Sequence, residues 1–89
     1  MSKKIFLLKE NDKEIGAILK EDQVEFYLNH HAELRLSELK RDLSRRTFAE
    51  RSSNKIFIHT QKLGSFFNGL INTKYKLEIF EIELLDDSK

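Results

Sequence analysis

Apolar residues in this chain come in short runs broken by charge, and that segmentation restricts it to short strands and amphipathic helices. "IFLL", Ile5 to Leu8, suits a buried strand, and "KIFIH", Lys55 to His59, is a second apolar run with β-branched residues, expected as a central strand. No run approaches the roughly 18 residues of a membrane span. Ile5 to Leu8 also falls short of the about 7 to 15 apolar residues of a secretion signal, although Lys3 and Lys4 precede it. With no proline and three glycines, the chain shows no linker, repeat or low-complexity segment, and residues 1–89 read as a single α+β domain. A chain of 89 residues buries only about 60 to 65% of the surface its unfolded form exposes, so one modest core must carry the fold.

The segments between these runs can be placed by periodicity. After the polar "KENDK", the residues Ile15, Ala17 and Leu19 alternate as a strand does, while Ile15, Ile18 and Leu19 also fit helical spacing, and Asn11 with Glu14 would make a helix-starting box. Gly16 weakens a helix by roughly 1 kcal/mol and the segment is short, so a hairpin with the first strand is expected. "VEFYLN" alternates cleanly, with Val24, Phe26 and Leu28 on one side, and is expected as a half-buried strand. From Asn29 to about Arg51 the spacing predicts a helix that ends at "SSN", with Ala32, Leu36, Leu39 and Leu43 as the stripe that packs on the sheet. Thr47 with Glu50 could restart a turn there and bring Phe48 inward. From Thr60, the spacing of Leu63, Phe66, Phe67, Leu70 and Ile71 predicts a second helix. "YKLEIFEIELL" is the last strand and a candidate sheet edge. Its apolar phase switches between Ile79 and Phe80, which a bulge or burial on both faces would explain. The expected architecture is α+β: a small antiparallel sheet of four or five strands packed on one face by two helices, in the approximate order β-β-β-α-β-α-β.

Composition narrows the chemistry. The chain is 35% charged, against roughly 25% for an average domain, and has no cysteine, which excludes a disulfide scaffold, a thiolate metal site and a cysteine nucleophile. A reducing, cytoplasmic setting is expected. A net charge of +1 argues against a domain built mainly around phosphate backbone. The distribution is uneven: between Lys40 and Lys55, six cations (Lys40, Arg41, Arg45, Arg46, Arg51, Lys55) face Asp42 and Glu50, whereas Leu77 to Ser88 carries Glu78, Glu81, Glu83, Asp86 and Asp87 without a cation. Either these regions meet in the fold or each faces a different partner. Lysine- and isoleucine-rich chains lacking cysteine, proline and tryptophan are common among small phage and mobile-element proteins, an analogy that carries no function by itself.

All five arginines fall between Arg35 and Arg51, in a chain with eleven lysines. Guanidinium groups match phosphate and carboxylate oxygens, so the cluster can be a docking site. The same residues can instead lace a solvated helix face through Glu38–Arg41, Asp42–Arg45 and Asp42–Arg46 pairs. Phe66, at the edge of its stripe, is a candidate interface anchor. His30, His31 and Glu33 do not converge in an extended segment and His59 lies on another element, so no metal centre is expected. His59 with Tyr27 or Tyr75 and an arginine would resemble the equipment of a small ribonuclease, but a strand-end histidine is more often structural. No phosphate-binding glycine loop, nucleophile elbow or dinucleotide fingerprint occurs. The expected function is a non-enzymatic, cofactor-free macromolecule-binding module. It would be a small inhibitor or regulator docking on a protein of nucleic-acid metabolism through an Arg-bearing helix. Arg41, Arg45, Arg46, Arg51, Lys55 and Phe66 would make the contacts; direct nucleic-acid binding by the same arginines is the alternative, and no membrane partner is expected.

Overall fold

In a computed structural model, which describes residues 2–64 and 69–85, the chain forms strand β1 (Ser2–Glu10), strand β2 (Lys13–Ile18), a 3-10 turn (Glu21–Gln23), helix α1 (Val24–Leu39), and strands β3 (Arg45–Ser52), β4 (Lys55–Lys62) and β5 (Ile71–Leu85). The strands make one five-stranded antiparallel sheet in the order β2-β1-β5-β4-β3. The α+β class and the β1–β2 hairpin stand as expected, and Lys55–His59 is an interior strand. The hairpin turns through two residues, Asn11 and Asp12, both with positive φ (51° and 68°), as the tightest hairpin loops require and as Asn and Asp tolerate. Asn11 also locks the turn to β5: its side chain accepts the Lys76 N–H at 2.9 Å, and its own N–H donates to the Lys76 carbonyl at 2.9 Å.

Four expectations need correction. Val24–Asn29 is the start of α1 and not a strand, because the chain continues Val24, Leu28, Ala32, Leu36, Leu39 at helical spacing, with Leu28 and Ala32 buried and the others packed against them. The alternation of Val24, Phe26 and Leu28 is coincidental, since Phe26 stays exposed. The helix ends at Leu39 rather than near Arg51. Asp42 folds the chain away there, its carboxylate accepting the backbone N–H (3.0 Å) and hydroxyl (2.6 Å) of Ser44, an alternative to helical bonding that Asp and Ser favour. Arg45–Ser52 then runs as a strand, and Leu43 leaves the expected stripe for solvent. A second helix from Thr60 does not form, because β4 continues to Lys62 and β5 begins at Ile71. Its expected members Phe66 and Phe67 lie outside the described residues. Finally, β5 is the centre of the sheet and not its edge.

Register explains the phase switch in β5 without a bulge at that point. Leu8 pairs with Ile79 and Leu7 with Phe80 without interruption, so Leu77 and Ile79 face α1 while Phe80 and Ile82 occupy the opposite face. The irregularity falls instead where Ile58 pairs with Tyr75 but His59 with Thr73. The core sits between α1 and one sheet face: Phe6, Leu8, Ile18, Leu28, Ala32, Ile56, Ile58, Leu77 and Ile79, flanked by Val24, Leu36, Leu39 and Tyr75. Full burial of side chains of this size contributes about 1.5 to 3 kcal/mol each. Among the described residues the other face of the sheet carries no helix. No helix among the described residues is long and apolar enough to cross a membrane.

Candidate docking surface

The five arginines divide by element. Arg35 lies on α1 and grips Glu10 of β1 through Nε and through Nη2 (2.9 Å to Oε2), while Nη1 reaches Glu38 at 3.1 Å and the guanidinium lies 5.0 Å from the Tyr75 ring centre. Hydrogen bonding to Glu10, above all, raises its already high pKa further, with Glu38 adding to it. Arg51, on β3, clasps Glu25 near the start of α1 with two hydrogen bonds (2.7 and 3.1 Å) and donates to the Ser53 carbonyl at 2.7 Å. These two side chains fasten opposite ends of the helix to the sheet.

Arg41, Arg45 and Arg46 occupy a different place. They lie beyond the helix, in the turn after Leu39 and at the start of β3, so the expected Arg-bearing helix is replaced by a cationic end of the sheet. Arg45 pairs with Asp42 at 3.3 Å and sits opposite Lys62; Arg46 sits opposite Gln61 with its guanidinium 4.9 Å from the Phe48 ring centre. Bonding to Ser44, reinforced by Arg45, holds the Asp42 carboxyl below the usual range, so it stays ionised. Lys40 caps α1 beside Arg41 and Lys62 is the cross-strand neighbour of Arg45, so five cations lie on this turn and strand end, with Arg45 and Arg46, successive on β3, on opposite faces of the sheet.

The same end exposes aliphatic side chains that the periodicity assigned to cores. Leu43 is 90% exposed, Leu70 is 88% exposed, and Leu63 and Ile71 are about half exposed. Backbone bonds hold them together: the Leu63 N–H donates to the Ser44 carbonyl at 3.0 Å, the Gly69 N–H to the Lys62 carbonyl at 2.7 Å, and Ile71 pairs with Gln61. The periodicity that placed Leu63, Leu70 and Ile71 on a helix masked this cluster, and the clue available was the Asp42-Leu43-Ser44 turn. Phe66 lies outside the described residues.

Lys55, the remaining sequence candidate, sits near mid-sheet and pairs with the buried Glu78 at 3.4 Å. Glu81 is met by Lys4 at 3.1 Å. The acidic strand is therefore partly neutralised by lysines within the fold. Its Glu81 and Glu83 lie toward the far end of β5 from Ile71, which at about 3.3 Å per residue is roughly 33 to 40 Å away. His59 is 9% exposed, flanked by the Phe48 and Phe57 rings at 5.1 and 6.1 Å, with Nδ1 at 2.9 Å from the Thr73 hydroxyl and Nε2 at 3.4 Å from Glu50. It lies on the sheet face opposite α1. Among the described residues no group of histidines and carboxylates could hold a metal ion. No protein family, curated protein or solved structure matches the chain.

Proposed function

We propose that this chain is a non-enzymatic binding module whose cationic, leucine-bearing end docks on an acidic surface of a protein partner. A small inhibitor or regulator of a nucleic-acid-handling protein would use such a surface, because a cationic patch is complementary to an acidic patch on its partner. The observation that carries the reading is the exposure of Leu43, Leu63, Leu70 and Ile71 at the same end of the sheet that bears Arg41, Arg45 and Arg46. Monomeric proteins rarely leave clustered large aliphatic groups in water, and arginine with buried apolar anchors is the composition of an interface centre.

Direct phosphate binding by the same three arginines is the second reading, since they are presented on turn and strand rather than spent on the fold as Arg35 and Arg51 are. The leucines separate the two. Phosphate contacts have no use for them, whereas a protein interface loses its centre without them.

The test uses the full chain as bait in extracts of its source cell, beside a Leu43→Ser/Leu70→Ser variant and an Arg41→Ala/Arg45→Ala/Arg46→Ala variant, with duplex DNA and single-stranded RNA titrated in parallel. Stoichiometric capture of one protein, lost in both variants while their unfolding temperature holds, supports the protein-docking reading. Tight nucleic-acid binding that the serine variant keeps and the alanine variant loses, falling roughly a hundredfold between 50 and 200 mM salt, would replace it with the second.

A further inference from the structure

The two edges of the sheet are guarded unequally. β3 carries Arg45, Arg46, Glu50 and Arg51 along its length, the charged decoration that keeps an edge from pairing. β2, at the other edge, is charged only at its start, Lys13 and Glu14, and continues through Ile15, Gly16, Ala17 and Ile18 without a charge or a proline. A row of backbone N–H and C=O groups along an edge strand faces away from its neighbour and is open to another chain.

Beside this edge the fold leaves a cleft of about 490 Å³. Leu8 and Ile18 form its floor, β2 one wall, and Gln23, which caps α1, with Tyr27 and His31 on the helix itself, the other, while Lys20 stands where the chain crosses from strand to helix. The lining includes a lysine and a histidine and no carboxylate. Gly16 opens the cleft further: a side chain there would meet nothing within 4 Å, and its φ is not one that side chains avoid.

We infer that β2 is a strand-addition site for an extended segment of another protein, one whose alternate apolar side chains drop between β2 and α1 and whose acidic side chain faces Lys20. The added strand extends the sheet by backbone hydrogen bonds, and the cleft supplies the selectivity, which is how groove-assisted strand addition divides the two tasks. This surface is separate from the cationic end, so the inference stands or falls independently of the proposed function.

Selection of a displayed random-peptide library on the immobilised full chain tests it. Enriched sequences should alternate apolar residues and carry Asp or Glu at one side. A fluorescein-labelled synthetic peptide of that consensus should bind about tenfold or more weakly to Gly16→Trp, which fills the cleft, and more weakly to Lys20→Glu, an exposed change that spares the fold. In two-dimensional NMR the amide signals of Ala17 to Leu19 should shift on binding. Enrichment without alternation, no enrichment at all, or a consensus peptide that binds both variants undiminished would overturn the inference. So would a dimer by sedimentation that Gly16→Trp converts to monomer, since β2 would then be occupied by a second copy.

Discussion

Phe26 and Leu28 are two residues apart, and their fates separate a helix from a strand. On a strand they would share one buried face. On α1 they lie about 200° apart around the axis, Leu28 fully buried and Phe26 65% exposed. Truncating a buried leucine to alanine costs about 2.7 to 5 kcal/mol, the lost transfer energy plus a cavity that neighbours only partly fill. Leu28 is wholly buried in the core with Ile56, Ile58, Leu77 and Ile79, so the upper half of that range is expected. A domain of this length has about 4 to 13 kcal/mol in total. Leu28→Ala should therefore lower the unfolding temperature by at least about 10 °C, or abolish a cooperative transition altogether. Phe26→Ala removes mostly solvated surface, together with an edge contact to Tyr27 (5.3 Å between ring centres) and a stack on His30 (6.0 Å), and should cost no more than about 1 kcal/mol. Differential scanning calorimetry and urea titration of both variants measure the difference. Equal, large losses from the two substitutions would refute the helical assignment and restore the alternating strand.

Two further outcomes follow from the polar contacts. Hydrogen bonding to Arg51 lowers the Glu25 pKa from its ordinary value near 4.5. A depressed carboxyl stabilises the fold above its unfolded-state pKa and loses that contribution as pH falls through its folded value; with the Glu25 side chain 64% exposed, the loss is at most about 1 kcal/mol. Urea midpoints taken from pH 7 down to pH 3 should fall further for the wild type than for Glu25→Gln, and parallel curves would count against the clasp. Thr60, 1% exposed and facing α1 opposite Thr47, buries a hydroxyl with no hydrogen-bond partner among the described residues. Thr60→Val keeps the β-branched shape and removes the unpaired oxygen, so it should raise stability by about 0.5 to 1 kcal/mol in urea titration; a loss would show that the hydroxyl is bonded after all.

The parts of this fold legible in the sequence are those where one periodicity competes with no other. Ile5–Leu8 and Lys55–His59 are unbroken apolar runs, and the Asn-Asp turn follows the first of them, so two strands and a hairpin could be placed. Val24–Leu28 satisfied both periods at once, and only the continuation through Ala32, Leu36 and Leu39 decides for the helix. The arginine-rich stretch misled because Arg, Glu and Leu are all good helix formers, while the turn that ends the helix depends on a side-chain contact, Asp42 to Ser44, that local propensity weighs lightly. Leu63, Leu70 and Ile71 matched helical spacing by accident of a strand, a connection and a second strand. As for the candidate site, the sequence located the cations around Arg41 to Arg46 but could not separate them from Arg35 and Arg51, whose partners Glu10 and Glu25 are 25 and 26 residues away. The exposed leucines and the β2 cleft depend on tertiary placement: the Asp42-Leu43-Ser44 turn is the one local trace of the first, and the cleft left none.

The central position of β5 governs how this sheet can assemble. β1 and β2 form one hairpin and β3 and β4 another, and the two do not pair with each other; β5, last in sequence among them, pairs with both β1 and β4. Isolated two-stranded hairpins are marginal in water, and pairing β1 with β5 closes a loop of more than sixty residues. Neither hairpin completes the core until β5 bridges them, so closing that long loop is required before every layer of the core is filled. Such a sheet gathers its stability late and all at once, which makes a slow, single-step refolding transition the expected kinetic signature.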